Sequence, residues 1–250
     1  MSALVSRPIA HRGLHDLKKG IVENSIAASL AAVAAGYAIE CDVQLSRDGE
    51  AIVFHDDDLD RLTVSTGPVA RLTAAELTQL RLLDSGATIP TFPSLLSAVG
   101  GRALLVIELK SRFDGDPTLA RRVAEVAAAY GGPLAIESFD PDPIAFLRKE
   151  GPGLGVGRIP LGIVAQRDYG ENEWPQLDAN QRLELTHFLH YGRTRPEFLS
   201  FHIADYPHAT PALFRQALHL PVIAWTARSR REAEAASAWA DAVVFEDYLA

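Results

Sequence analysis

Four short polar motifs carry the side chains that could do chemistry in this sequence, and each lies at or near the end of an apolar run. They are His11-Arg12-Gly13, Glu40-Cys41-Asp42, His55-Asp56 and Glu108-Leu109-Lys110. Together they supply histidines, carboxylates, an arginine and a lysine. This set suits metal-assisted attack on a phosphate, because a metal and the basic side chains stabilise negative charge while histidines transfer protons.

Glu40 and Asp42 give the strongest single indication, because they stand two residues apart in an otherwise apolar run. Side chains alternate between the two faces of a strand, so both carboxylates point the same way. Two buried like charges are costly unless a cation or a basic group compensates them. The pair therefore favours a bound metal ion or another cation.

The other motifs each have a purely structural alternative. The imidazole of His11 could be only a hydrogen-bonded group at a strand end, and Glu108 with Lys110 could be only a buried salt bridge. A functional site is favoured because three different strands carry ionisable groups near their carboxyl ends, where barrel enzymes place their catalytic residues.

The apolar runs predict the elements that would position these motifs. Nine runs read as strands, at residues 9–10, 38–43, 51–54, 103–109, 134–136, 160–164, 198–201, 221–225 and 242–245. Segments of helical composition lie between most of them, which predicts a parallel sheet. The third run follows the second after too few residues for a parallel crossover, so it predicts a hairpin. The remaining eight predict an α/β fold, a single (β/α)8 TIM barrel.

The hairpin also predicts a register. If residues 48–49 are the centre of a two-residue type I′ turn, Asp42 lies directly opposite His55. Directly paired residues share a face, so the imidazole would meet the carboxylates of Glu40 and Asp42. Residues 46–99 then interrupt the strand and helix alternation, with glycine and proline as punctuation, and predict a small insertion after the second strand that caps the catalytic end.

Length and charge limit the protein class. The chain has 250 residues, 48% of them hydrophobic, which predicts one barrel domain over residues 1–250. A net charge of −8 at pH 7 argues against nucleic acid and anionic membranes as partners, because both need a basic face. The expected ligand is therefore a small phosphate compound, and the oligomeric state stays open.

Cysteine and hydropathy indicate the compartment. The chain has a single cysteine, Cys41, so an internal disulfide is excluded. No apolar run approaches the ~18 residues of a membrane span, and the first residues resemble no signal segment. We therefore expect a cytoplasmic setting and no stable association with membranes.

The motifs, in order and spacing, resemble the glycerophosphodiester phosphodiesterase family. Beyond the four motifs above, the matching segments are Glu23-Asn24-Ser25, Asp48-Gly49, Leu59-Asp60-Arg61, Ile89-Pro90-Thr91 and Ser138-Phe139. Residues 46–99 are similar to the insertion characteristic of that family. The resemblance implies a barrel enzyme that hydrolyses deacylated phospholipids, such as glycerophosphocholine or glycerophosphoethanolamine, to glycerol 3-phosphate and an alcohol. It also implies that Glu40, Asp42 and Glu108 hold one divalent cation.

The chemistry of the side chains agrees with those roles. Three carboxylates without a thiolate form a hard oxygen ligand set, which suits Mg²⁺ or Ca²⁺. Arg12 and Lys110 would bind the phosphate and neutralise charge that grows in the transition state. We assign His11 as the base and His55 as the acid. The nucleophile could be a vicinal glycerol hydroxyl, through a cyclic phosphate, or water.

The later part of the chain departs from the family pattern. Trp225 ends its strand as expected and, with Phe139, could form an apolar wall of the substrate site. The asparagine common after the tryptophan is absent, because the chain reads Trp225-Thr226-Ala227-Arg228. Glu246-Asp247 stands in place of the usual threonine and aspartate. Residues 56–58 read as a solvated acidic turn, and residues 167–196 show no motif.

Two other classes of function share these features. A lysophospholipase D, or a phosphodiester lyase of the sphingomyelinase D type, would use a similar barrel, metal and histidine pair, but should carry exposed apolar or basic loops for lipid. No such loop is evident in the sequence. A non-catalytic phosphodiester-binding barrel would be expected to have lost a histidine or a metal carboxylate, and all are present.

Overall fold

The computed structural model describes residues 3–83 and 85–250, and a barrel of parallel strands dominates it. The strands are β1 (Ile9–Ala10), β2 (Ala38–Leu45), β3 (Ala51–Val53), β4 (Leu105–Leu109), β5 (Leu134–Ser138), β6 (Leu161–Ala165), β7 (Phe198–His202), β8 (Val222–Ala227) and β9 (Ala242–Phe245). Each of the nine predicted runs overlaps one of these strands.

The strand pairing closes the sheet. Neighbours follow the order β1, β9, β8, β7, β6, β5, β4, β2, and β1 also pairs with β2. All of these pairs are parallel, whereas β3 pairs only with β2 and runs antiparallel to it. Within the described residues, eight parallel strands thus form a closed barrel with one attached hairpin strand, and the predicted (β/α)8 fold is confirmed.

Helices cover the outside of the barrel. They are α1 (Ile26–Ala35), α2 (Ala74–Leu77), α3 (Phe92–Val99), α4 (Thr118–Ala128), α5 (Pro141–Glu150), α6 (Ala179–Thr186), α7 (Tyr191–Thr194), α8 (Ala209–Gln216) and α9 (Arg230–Ala236). Short 3-10 helices lie at Ala3–Val5, Leu17–Lys19, Val69–Arg71 and Ile203–Asp205. The polar residue before several helices caps them: Ser25 and Thr91 each accept a hydrogen bond from the backbone N–H three residues later.

The alternation of strand side chains separates two sets of buried residues. Ile39, Cys41 and Val43 pack in the large cluster that includes the outer helices. Ala38, one residue out of phase, joins a second cluster with Val106 and other residues of the barrel interior. Because Glu40 and Asp42 are in phase with Ala38, they continue the inner face toward the carboxyl end of β2. The strand pattern therefore turns both carboxylates into the barrel.

The hairpin between β2 and β3 corrects one prediction. The predicted register, with Asp42 opposite His55, is wrong by one residue, because the observed ladder pairs Val43 with Val53. The turn has three residues rather than two, and Gly49 adopts the left-handed conformation (φ 79°) common in such loops. Since β3 ends at Val53, His55 lies past the ladder, on the segment that leaves the strand.

The segment after β3 has a hydrophobic cluster of its own. It contains Ile52, Phe54 and Leu59 together with residues as far as Ile89, whereas α3 packs into the barrel cluster. The start of this segment, including His55, lines a cavity at the carboxyl end of the barrel strands. The boundaries of the insertion and of the domain stay predictions.

None of the helices in the described part of the chain combines the length and apolar composition needed to cross a bilayer. Cys41 is a buried free thiol inside the barrel wall. The cytoplasmic location inferred from the cysteine content stays a prediction.

Candidate active site

Three carboxylates converge at the carboxyl end of the barrel. Glu40 and Asp42 come from β2, and Glu108 comes from β4, where its backbone is in register with Asp42. One oxygen of each lies within 4.8 Å of the others. Glu40 and Asp42 are almost fully buried, and Oε1 of Glu40 has no hydrogen-bond partner among the described residues. A cluster of this kind could hold a cation with oxygen ligands.

The pKa values of Glu40 and Asp42 reflect the close approach of negative charges in the cluster. Burial, together with the charges of Asp42 and Glu108, raises the pKa of Glu40 well above its usual value. Burial also opposes ionisation of Asp42, but His55, Lys110 and Arg12 lower its pKa below the usual range. The cluster thus carries one carboxyl group that is unstable as an anion without a further positive charge.

Arg12 and Lys110 supply positive charge on either side of Asp42. Nε of Arg12 lies 3.4 Å from Oδ2 of Asp42, and Nζ of Lys110 lies 3.7 Å from Oδ1. Lys110 also donates to Oε1 of Glu108 at 2.8 Å. Burial lowers the pKa of both basic groups, but the neighbouring carboxylates raise it by more. Both side chains therefore stay charged.

His11 follows β1 in a tight turn that approaches helix α1. A Cβ on Gly13, whose φ is 79°, would lie 2.8 Å from the backbone of Ala28, so the turn has room only for glycine. The backbone N–H of Arg12 donates to Oε2 of Glu40 at 2.9 Å. This turn leaves Nε2 of His11 3.9 Å from the same carboxylate oxygen.

His55 reaches the site from the segment after β3. Its Nδ1 and Oδ1 of Asp56 are 2.7 Å apart, and Arg61 donates to both oxygens of Asp56. Asp56 is therefore more than the solvated turn residue predicted from the sequence, because it orients the ring of His55. With Nδ1 engaged, Nε2 of His55 is the nitrogen available for proton transfer.

Sequence reasoning assigned no role to several polar residues that support the site. Glu23 lies between two arginines and accepts hydrogen bonds from Arg12 at 2.7 Å and from Arg61 at 2.8 Å. Asn24 donates to Oδ2 of Asp42 at 2.8 Å. Both residues belong to the Glu23-Asn24-Ser25 segment of the family pattern, which was a signal for their importance but not for their partners.

Glu137 is another buried carboxyl group that the sequence analysis did not single out. It stands on β5 in register with Glu108 and accepts a hydrogen bond from the hydroxyl of Ser200. Burial raises its pKa to about 8, so it is largely protonated at neutral pH. In that state it adds little negative charge to the cluster.

Phe139 and Trp225 contact each other through their rings. Their ring centroids are 5.4 Å apart, and the ring of Trp174 lies 4.9 Å from Phe139. A cavity of about 210 Å³ lies at the carboxyl end of the barrel, with His55, Glu108, Lys110, Phe113, Phe139, Asp140 and Trp174 among its lining residues. The segment 167–196, for which the sequence suggested no motif, therefore contributes Trp174 to the site.

The nine predicted site residues lie at one end of the barrel. The contacts above join His11, Arg12, Glu40, Asp42, Glu108 and Lys110 directly, and the cavity brings His55 and Phe139 to the same place. Trp225 does not line that cavity but packs against the ring of Phe139. Their catalytic and binding roles stay predictions. A closed (β/α)8 barrel with carboxylates, histidines and basic groups at this end defines a class of enzymes that act on phosphate esters.

Comparison with known proteins identifies the family. The model of the glycerophosphoryl diester phosphodiesterase family matches residues 11–248. The chain therefore belongs to this family of enzymes, and the resemblance seen in the motifs is confirmed.

Individual relatives agree with that assignment. The chain is 33% identical over 161 residues to the glycerophosphodiester phosphodiesterase of Caldanaerobacter subterraneus subsp. tengcongensis, a match that covers 60% of this chain and 65% of the relative. A phosphodiesterase of Oleispira antarctica, solved in complex with its product sn-glycerol-3-phosphate, superposes with a TM-score of 0.76 at 25% identity and covers 99% of this chain and 96% of its own.

A third comparison supports the fold alone. The glycerophosphodiester phosphodiesterase of Thermotoga maritima superposes with a TM-score of 0.69 at 22% identity, covering 95% of this chain and 92% of its own.

The network around Glu23 predicts a pH dependence of stability. Burial opposes its ionisation, but hydrogen bonds and charges from Arg61 and Arg12 lower the pKa of Glu23 from 4.5 to about 2. A group with a lowered folded pKa stabilises the protein above its unfolded pKa and loses that contribution as pH falls toward the folded one. Glu23→Gln should therefore lower the free energy of unfolding by roughly 3 kcal/mol at pH 7, with a difference from wild type that shrinks toward pH 2.

Urea unfolding at pH 7, 5, 4 and 3 measures this difference. Glu125→Gln, which alters a carboxylate that is 49% exposed, serves as the control and should follow the wild-type curve. If the difference in unfolding free energy between Glu23→Gln and wild type is constant from pH 7 to pH 3, the lowered pKa of Glu23 is contradicted.

Proposed function

We propose that the protein hydrolyses glycerophosphodiesters, such as glycerophosphocholine or glycerophosphoethanolamine, to glycerol 3-phosphate and an alcohol. The observation that carries the proposal is the convergence of Glu40, Asp42 and Glu108 beside Arg12 and Lys110 at the carboxyl end of the barrel. The family assignment and the product bound to the Oleispira antarctica relative support a glycerol phosphate ligand.

The carboxylate cluster fits a divalent cation. Oε1 of Glu40 is buried without a hydrogen-bond partner among the described residues, and burial, together with the charges of Asp42 and Glu108, raises the pKa of this residue. Glu40, Asp42 and Glu108 offer only oxygen, so the cation is Mg²⁺ or Ca²⁺. When bound, it polarises the phosphoryl oxygens and favours deprotonation of the attacking hydroxyl.

Arg12 and Lys110 bind the phosphate from opposite sides of Asp42. Their carboxylate partners keep them charged, and both are largely buried, so their charges are poorly screened by water. As negative charge builds on the phosphoryl oxygens, these two cations stabilise it more than they stabilise the ground state. They therefore contribute to the rate as well as to substrate binding.

Two histidines divide the proton transfers. Nε2 of His11 takes the proton from the nucleophile, which is either a glycerol hydroxyl or water, and Nε2 of His55 protonates the leaving alkoxide. His55 acts in its doubly protonated form, in which Nδ1–H donates to Asp56 and fixes the ring while Nε2–H gives its proton to the alkoxide. His55 also lines the same cavity as Phe139, on the side assigned to the leaving alcohol.

The cavity beside His55 suits a cationic alcohol. Its lining combines the rings of Phe113, Phe139 and Trp174 with the carboxylates of Asp57 and Asp140. Aromatic faces and nearby carboxylates both attract an ammonium group. This chemistry favours choline or ethanolamine esters over esters of neutral or anionic alcohols.

A lysophospholipase D activity is the second candidate. A larger cavity of about 560 Å³ reaches Glu246, the hydrogen-bond partner of His11, and its lining includes Leu14, Ile21 and Phe245. Leu17 and Leu249, at 59% and 62% exposure, border it. An acyl chain attached to the glycerol could occupy this apolar surface, so lysophosphatidylcholine belongs among the substrates to be tested.

The test measures product directly. Purified protein is incubated with glycerophosphocholine, glycerophosphoethanolamine or lysophosphatidylcholine, each with Mg²⁺, Ca²⁺ or EDTA, and glycerol 3-phosphate is measured with a coupled dehydrogenase. Choline release is measured separately for the lysophospholipid. Metal-dependent glycerol 3-phosphate release that is lost in His11→Ala supports the proposal, whereas choline release from lysophosphatidylcholine alone would favour the second candidate.

Glu40→Gln is expected to separate metal binding from folding. The amide removes a buried negative charge, so the variant should be at least as stable as wild type in EDTA, because burial of the charge is costly. Added Mg²⁺ or Ca²⁺ should raise the Tm of wild type but not of the variant, and metal-dependent turnover should fall by a factor of about 100 or more.

Thermal melts and the dehydrogenase assay give the two readouts. Glu50→Gln is the matched control, because Glu50 pairs with Arg122 at 2.9 Å outside the site. Wild-type turnover in Glu40→Gln would remove the metal assignment.

His55→Ala should affect substrates according to their leaving groups. A general acid matters most when the leaving alkoxide is strongly basic, so hydrolysis of glycerophosphocholine should slow by a factor of about 100 or more. The aryl oxide of an activated aryl phosphodiester leaves without protonation. The variant should therefore hydrolyse this substrate at close to the wild-type rate. Steady-state kinetics on both substrates measure the contrast, and equal losses would count against His55 as the acid.

A further inference from the structure

Glu246, the residue that follows β9, links three side chains at the catalytic end of the barrel. Its Oε2 is hydrogen-bonded to Nδ1 of His11, and Nε2 of His15 lies 3.9 Å from the same oxygen. Its Oε1 pairs with Nε of Arg228 at 2.8 Å. The side chain of Glu246 is only 13% exposed, so these contacts take place largely away from water.

We propose that Glu246 is a positioning residue, which holds His11 with its proton on Nδ1 and its Nε2 lone pair directed toward the phosphate site. The proposal deepens the proposed function and rests on it, because it concerns how the base of that reaction is prepared. Arg228 completes the arrangement by holding the second oxygen of Glu246.

The direction of the hydrogen bond follows from the chemistry of its two partners. An ionised carboxylate can only accept, so Nδ1 of His11 must be the donor. A neutral imidazole carries a single N–H, which leaves Nε2 without a proton and able to accept one. Nε2 is also the nitrogen that faces Glu40, at 3.9 Å from Oε2, and so faces the carboxylate cluster.

The same contact serves the step after proton abstraction. When Nε2 takes the proton of the attacking hydroxyl, the ring of His11 becomes an imidazolium and the oxygen of the nucleophile bonds to phosphorus. The bond from phosphorus to the leaving oxygen breaks, and His55 protonates the alkoxide that departs. Glu246 stabilises that positive charge through the existing Nδ1–H bond, and it takes no proton itself. The proton stays on Nε2 until product release or the next step of the reaction returns it.

The ion pair with Arg228 connects this arrangement to the departures from the family pattern. Arg228 and Glu246 belong to the two segments, Trp225-Thr226-Ala227-Arg228 and Glu246-Asp247, that depart from the family pattern. The structure joins these two positions to each other, and the backbone N–H of Glu246 donates to the oxygen of Ala227 at 3.0 Å. Since Arg228 is 62% exposed, its ion pair contributes little to stability, whereas it restricts the rotation of Glu246.

The test combines a tautomer measurement with kinetics. The variants are Glu246→Ala, which removes the acceptor, and Glu246→Gln, which keeps the shape but removes the charge. Two-dimensional NMR of ¹⁵N-labelled protein in Mg²⁺ assigns the protonated ring nitrogen of His11 in each folded protein, and kcat and KM for glycerophosphocholine are measured separately. Glu50→Gln, which loses an arginine-paired carboxylate outside the site, is the control.

We expect His11 of the wild type and the control to carry its proton on Nδ1, and that of Glu246→Ala to shift toward the Nε2–H form. The kcat of both Glu246 variants should fall by a factor of about 100 or more, with KM changed by less than about threefold, because the ring loses its orientation while the phosphate ligands remain. An Nε2–H form in the wild type, or a kcat of Glu246→Ala within threefold of wild type, would overturn the proposal.

The two readouts separate this proposal from the proposed function. A wild type that turns over none of the phosphodiesters would refute the proposed function, while the tautomer of His11 would still report whether Glu246 holds the ring. A wild type that is active, with Glu246→Ala equal to it, would refute the role of Glu246 alone.

Discussion

Buried negative charge at the carboxyl end of the barrel is the constraint on which the rest of the site depends. Glu40 and Asp42 are in phase on β2, and the parallel register with β4 adds Glu108 at the same level. The closed barrel gives these side chains little access to water, so their repulsion is weakly screened. Every charged residue nearby can be understood by what it does for these three carboxylates.

The surrounding groups form two layers of compensation. Arg12 and Lys110 contact the carboxylates directly, whereas Glu23, Asp56 and Arg61 hold those first contacts in place through their own ion pairs. Glu137 adds little to this repulsion, because it is largely protonated at neutral pH and is hydrogen-bonded to Ser200. The result is a carboxylate cluster with fixed positive charges on either side of it.

The sequence was sufficient for the fold and for the first layer of the site, because both follow from local patterns. Strands of a parallel barrel are continuous apolar runs, and the motifs at their ends are visible without tertiary information. The predicted hairpin register was wrong because the sequence around Gly49 is compatible with both a two-residue and a three-residue turn. The two turns give ladders that differ by one residue. Partners such as Glu23 with Arg61, or Trp174 with Phe139, are far apart in the chain, and only the folded barrel determines which ones meet.

The shortness of β1 links the closure of the barrel to the positions of His11 and Arg12. This strand has two residues, Ile9 and Ala10, and it alone joins β9 to β2, with His11 and Arg12 directly after it. If this seam opens while the other strands stay paired, the carboxylates of β2 and β4 remain together but the imidazole and guanidinium leave them. Local opening costs less free energy than global unfolding, so these side chains can separate from the carboxylates while the core stays folded.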